Sequence, residues 1–412
     1  MPAIRPIPLW AGRTMALLGI LLVAVNLRTA VAAISPIAAQ IRVDIDLDTV
    51  GLGVIGALPP VAFALSGLFG ARLAHRVGLE RLLVLAIGAM VIGHLLRGLA
   101  GSYWLLLGGS VVVFAGIGIA NILLPPIVKR YFPDRIALIT TLYVTVMAIS
   151  TTVPAALAAP VADSAGWRTS LGVWSILAVA SLVPWVAVLL QHRRERAVLA
   201  GHDEAPELVD APPRLSGRIW YSRTAWLLAV IFALPSFHAY AIFIWLPELL
   251  VDVAGVTRVQ AGALLALWSI MGVPAALVVP GLASRMRNVG VLVQVAIGAF
   301  IAGYLGLLLA PTTLTALWVV LAGVGAMLFP ASLVLINLRT RTADGSTALS
   351  GFVQGVGYTL GALGPLLVGL LNQMSGGWTL PLIALITTAL ACIIPGWMLG
   401  RHAFVEDEIG RR

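Results

Sequence analysis

The stretch "VAVNLRTAVAAISPIA", Val23 to Ala38, sets Asn26 and Arg28 inside an apolar run that begins near Met15. A bilayer-crossing helix needs roughly 20 mostly apolar residues, and this run supplies them. Arg28 lies about 14 residues into it, or roughly 21 Å at ~1.5 Å per residue. That is too deep for its side chain to reach water at the near end. A charge in mid-bilayer costs several kcal/mol or more, so such residues are rare and functional by default.

The rest of the chain has the same character. Of its 412 residues, 60% are hydrophobic and only 10% charged, with a mean hydropathy of +1.01. Soluble proteins keep roughly a quarter of their residues charged. The composition predicts an all-α integral membrane protein. Twelve spans are expected, over about 14–38, 50–72, 82–100, 103–127, 136–160, 169–190, 223–247, 258–282, 288–310, 313–337, 346–371 and 379–400. The runs are too long, and alternate too little, for barrel strands. The apolar run from Met15 to Val25 continues past Arg28 without a small-residue cleavage site, so no cleavable signal peptide is expected.

Twelve spans put both termini on one side. The loops on that side hold 21 of the 26 Lys and Arg residues, and the opposite loops hold Arg42, Arg168 and Arg258. The positive-inside rule therefore predicts cytoplasmic termini and a multi-pass protein of the inner cell membrane, of bacterial type. The net charge of +9 is then topology and attraction to lipid headgroups, with no nucleic-acid partner. The polar segment 191–222 reads as a linker between two six-helix bundles, 1–190 and 223–412. The halves carry matching signals: Pro154 and Trp167 are spaced as Pro365 and Trp378 are, "GIG" at 116–118 pairs with "GVG" at 323–325, and Pro36 pairs with Pro247. A duplicated design of this kind is typical of secondary transporters.

Motifs narrow the reading. The turn "ARLAHRVGLER" (71–81) resembles the loop between the second and third spans of the major facilitator superfamily. Leu73, Ala74, Arg76 and Gly78 match, while His75 replaces the usual Asp and Glu80 stands where a basic residue is usual. "NLRTAVAAISPI" (26–37), "GIGIANILLPPIVKRYFP" (116–133) and "WLPELL" (245–250) resemble the cyanate/2-nitroimidazole transporter family within it. The resemblance implies a twelve-helix monomeric carrier of small, often anionic or polar, molecules. Arg72 and Arg76 then belong to a gating loop.

All 17 acidic residues fall in loops or at span ends. Arg28 thus has no membrane-embedded carboxylate, and its planar fork suits a substrate oxyanion. The alternative is a structural arginine held by a helix terminus. Asn26, about 200° away round the helix, is a candidate substrate contact that could equally bond a neighbouring helix. His238 is the pseudo-symmetric counterpart of Arg28. It is the proton-coupling candidate because imidazole titrates near physiological pH; a neutral, hydrogen-bonded packing role is the competing reading. Trp245 lies on its stripe, with Tyr240 nearby. Gln354 and Tyr358 share a face with Gly361 and Pro365, and Tyr143 is the repeat partner of Gln354; with Trp245 and Tyr240 they are candidate substrate contacts, and for Gln354 and Tyr358 helix–helix hydrogen bonding is the competing reading. Asn121 precedes Pro125–Pro126, which are expected to bend or break span 4; it is a candidate cavity contact or a partner for a carbonyl freed there. Arg97 is expected to reach the outer surface or to assist anion entry, with His94 one turn before it.

No phosphate-binding loop, paired buried carboxylates or metal-ligand cluster is present, so neither an enzyme nor a cofactor is expected. The expected function is a secondary transporter of a small anionic or polar solute, with protons as a candidate coupling ion. The alternatives are an efflux carrier for apolar compounds and a non-transporting membrane sensor.

Overall fold

A computed structural model describes residues 13–132, 134–198, 219–286, 288–341, 343–400 and 403–409. It is all-helical, with twelve helices or broken helices long and apolar enough to span a membrane. In hydrocarbon, each backbone N–H and C=O must find a partner inside its own helix. Helix ends carry the polar caps that this requires. Asp48 accepts from Gly51 N (2.7 Å) and Ser102 from Leu105 N (3.3 Å). Thr257 and Gln260 form a reciprocal capping box at the start of span 8.

Several spans are interrupted. Span 1 runs as a helix over Thr14–Ala32, tightens to a 3₁₀ turn at Ser35–Ile37 and resumes over Ala38–Asp44. Pro36 supplies no N–H for the ladder there. Span 11 breaks at Ala362, between helices Ala343–Gly361 and Leu363–Ser375. Span 4 behaves otherwise: its helix is continuous over Tyr103–Tyr131 with Pro125 and Pro126 inside it. Of the bend or break expected there, the break does not occur. Span 6 closes with a helix over Trp174–Val198, past its expected end at 190. Residues 199–218 of the expected linker lie outside the described residues.

Equivalent helices of the two repeats pack through equivalent glycines. A Cβ on Gly93 (span 3) would sit 2.5 Å from Val113 N (span 4), and one on Gly303 (span 9) 2.7 Å from Ala322 N (span 10). Backbones approach this closely only where one partner lacks a side chain, and glycine supplies that in both pairs. A second feature also recurs. The Trp167 indole donates to Asp44 (2.9 Å), tying span 6 to the end of span 1. Trp378 does the same to Asp252 (2.8 Å), tying span 12 to the end of span 7.

The first six and last six spans meet along spans 1, 2 and 5 on one side and spans 7, 8 and 11 on the other. The tightest joints lie at the end remote from the termini. Arg42 pairs with Glu248 at 2.5 Å, and the Ser35 hydroxyl donates to the Ile244 carbonyl. At the terminal end, the short helix Val405–Ile409 straps the start of span 7. Glu408 accepts from Ser222 Oγ (2.6 Å), Thr224 N (3.0 Å) and Thr224 Oγ1 (2.7 Å). Burial pushes the Glu408 carboxyl up, and these hydrogen bonds more than offset it, leaving it below the usual range.

Candidate functional site

Arg28 sits at the seam between the two sets of six spans. Its side chain is half-buried, and its guanidinium lies over the Phe63 ring of span 2, 5.4 Å from the centroid. The buried Tyr240 of span 7 lies beside Arg28. Tyr358 of span 11 lies beside both. Its ring packs against Phe63 (5.6 Å between centroids), against Phe232 (5.2 Å, edge-on) and near Phe329 (6.4 Å). A single cation is therefore bordered by rings from spans 2, 7 and 11, with the span 10 ring packed behind Tyr358. Among the described residues no carboxylate pairs with it.

This cluster can hold a charge without neutralising it. Phe63 occupies one face of the guanidinium through a cation–π contact. The in-plane N–H groups are the part that can donate, and a planar fork of this kind matches an oxyanion. Phenolic hydroxyls beside it can donate or accept.

The other residues singled out in the sequence divide between cluster and packing. Asn26 points away from Arg28, as the helical spacing requires. It is buried and donates to Ser181 Oγ (2.8 Å) and to the Leu177 carbonyl (3.2 Å) on span 6. His238 is fully buried among the last six spans. Its Nδ1 lies 2.9 Å from Tyr304 Oη and its Nε2 3.0 Å from Thr388 Oγ1, while Phe300 covers the ring at 4.5 Å. The pseudo-symmetric counterpart of Arg28 is thus a packing neighbour of spans 9 and 12, and Tyr240, two residues on, faces the cluster instead. Trp245 is also buried, donating to the Pro365 carbonyl (2.8 Å) across the break region of span 11.

Gln354 is half-buried and bonds Ser350 on its own helix (2.6 Å). Tyr143 is buried on span 5 and Asn121 half-buried on span 4. Among the described residues neither makes a ring contact or hydrogen bond with the Arg28 cluster. Arg76 is exposed at the end of span 2; the Arg72 side chain lies outside the described residues. Arg97 departs most from expectation. It does not extend to the surface but is 0% exposed, donating to the Ala30 carbonyl of span 1 (3.2 Å) and lying over Phe114 (5.8 Å).

Phe63, Phe232 and Phe329 escaped the sequence reading because an aromatic in an apolar helix carries no signal of its own. Glu248 stood in view within "WLPELL", yet only three-dimensional pairing gives it Arg42 as a partner.

Comparison with known proteins agrees with this architecture. The model of the Major Facilitator Superfamily matches residues 16–362. The chain is 31% identical to the 2-nitroimidazole transporter of Escherichia coli (strain K12), over 94% of this chain and 96% of that protein. It is 30% identical to the Uncharacterized transporter YycB of Bacillus subtilis (strain 168), over 96% and 95%. The Cyanate transport protein CynX of Escherichia coli (strain K12) is 26% identical over 88% and 91%. Among solved structures, a bacterial homolog to the human lysosomal transporter Spinster, in its inward-facing and unoccupied conformation, superposes with a TM-score of 0.74 at 16% identity, covering 94% of this chain and 97% of that one. With twelve membrane-spanning helices and a family match over most of its length, the chain is a multi-pass inner-membrane protein and belongs to the Major Facilitator Superfamily.

Proposed function

We propose that the protein is a secondary transporter that moves a small anionic or polar solute by alternating access, with Arg28 as the principal contact. One observation carries this reading: a half-exposed guanidinium at the seam between the two six-span sets, bordered by Phe63, Tyr240 and Tyr358 and without a carboxylate among the described residues. The charge lacks a fixed counter-ion where a solute would have to bind for the two sets to close around it. Relatives named for 2-nitroimidazole and cyanate support a small polar or anionic solute.

The terminal face is the cytoplasmic one on charge distribution. The Arg42–Glu248 and Ser35–Ile244 joints then close the outer end, which supports a state open toward the cytoplasm. Burial and two hydrogen-bond partners favour packing over proton coupling for His238.

A thermal-shift screen of small organic and inorganic anions on the purified protein tests the proposal. The best ligand is expected to stabilise the wild type and to lose that effect in Arg28→Ala. Equal stabilisation of both proteins overturns the Arg28 assignment, and a ligand set dominated by lipophilic cations supports an efflux carrier for apolar compounds instead. Proteoliposome uptake with and without a pH gradient measures coupling. His238→Gln is expected to retain any proton-driven accumulation; losing it would reinstate His238 as the coupling group.

A further inference from the structure

Arg97 and His94 form a second polar centre, enclosed within the first six spans. Arg97 is 0% and His94 1% exposed, one turn apart on span 3. Nη1 of Arg97 donates to Ala30, but Nε and Nη2 are buried without a hydrogen-bond partner. Those two nitrogens share one edge of the guanidinium and point their N–H bonds in parallel, the geometry that grips an anion with two donors. Neither nitrogen of the buried His94 ring has a hydrogen-bond partner among the described residues.

Charge balance is missing here as well. Among the described residues, Glu80 is the buried acid of span 3, and it is engaged at the other end of that helix by Arg130 (3.2 Å) and Tyr131 (3.0 Å). Burying a guanidinium without a counter-charge costs several kcal/mol. A fixed dipole such as the Ala30 carbonyl offsets only part of that.

Packing limits what could supply the charge. Added Cβ atoms on Gly98 and Gly109 would lie 3.0 Å from Gly172 Cα and 3.1 Å from Arg97 Cγ. Phe114 covers the guanidinium from one side. Backbones this close argue against an organic anion.

We propose that Arg97 and His94 hold a small monovalent anion of halide size, as a resident counter-ion behind span 1 and separate from the Arg28 cluster. Ala30, which Arg97 grips, lies two residues beyond Arg28. The bound anion would therefore cancel a positive potential directly behind the solute contact and hold the segment that leads into the span 1 break.

The test uses the purified full-length protein in buffers that differ only in anion: chloride or bromide against gluconate. Halide is expected to raise Tm saturably in the wild type and in Arg28→Ala, so that failure of the solute reading leaves this result unaffected. Arg97→Gln is expected to abolish the rise. Bromide crystals should show anomalous density on the Nε–Nη2 edge of Arg97. His94→Gln should shift the halide midpoint roughly fivefold, the effect of losing one hydrogen bond. Equal Tm in halide and gluconate, a halide response that survives Arg97→Gln, or an ordered water on that edge would each overturn the proposal.

Discussion

Two arginines face the membrane interior of this protein, and their settings differ. Arg28 lies at the seam between the six-span sets, half-exposed, with one face on Phe63 and a phenol at its edge. Arg97 lies wholly inside the first set, on a carbonyl of the helix that carries Arg28. Neither has a carboxylate partner among the described residues. What separates them is exposure, and exposure determines what each can do. A cation that water can reach is free to exchange partners quickly; one sealed by glycine-packed backbones exchanges them far more slowly.

The largest effect expected from this contrast is at Arg28. Replacing it with alanine should weaken solute affinity by ten- to a hundred-fold, since a hydrogen bond to a charged group is worth about 1.5–3 kcal/mol. Tm without ligand should move little, because the side chain is partly solvated. At Arg97 the pattern should invert. Arg97→Met, which fills the volume without the charge, should change Tm in gluconate far less than in chloride. Equal losses in the two buffers would erase the distinction between the arginines.

A smaller effect is expected for Tyr240→Phe. Losing a phenolic hydroxyl beside Arg28 should cost three- to ten-fold in affinity, or about 0.5–1.5 kcal/mol, measured as the midpoint of ligand-induced stabilisation. Asn26→Leu should leave solute affinity unchanged and lower Tm instead, because its amide bonds span 6.

The smallest effect concerns the C-terminal strap. Glu408 sits below the usual carboxylate range when folded. Its contribution is present above the unfolded value of about 4.3 and lost as pH falls through the lower folded value. Glu408→Gln should therefore lower Tm at neutral pH, and the difference from wild type should close under acid conditions. A gap that persists unchanged into acid would show that packing, not charge, holds the strap.

Much of this was legible in the sequence. Helix number, the Arg28 problem and the opposite facing of Asn26 follow from hydrophobic run length and from ~100° per residue. The repeated Pro-to-Trp spacing pointed to an internal pairing that emerges as matched Trp–Asp bonds at 44/167 and 252/378. What was hidden depends on lateral contacts. Arg97 stands near a span end, where depth alone says it should reach water; only the packing of spans 1, 4 and 6 around it reveals otherwise. His238 stands at the depth of Arg28, yet helix rotation turns it toward Tyr304 and Thr388 and leaves Tyr240 facing the seam.

The Arg42–Glu248 pair carries one more consequence. Its side chains are 27% and 25% exposed, so solvent competes for both ions. Contacts of this kind are worth about 1 kcal/mol or less and weaken as salt rises. In the alternating-access cycle proposed above, a joint that parts and re-forms works only if its strength stays well below the free energy a solute contributes on arrival. Placing the pair in the interior would make opening slow. Placing it at the rim makes it a fastening whose grip follows the ionic strength of the solution at that face.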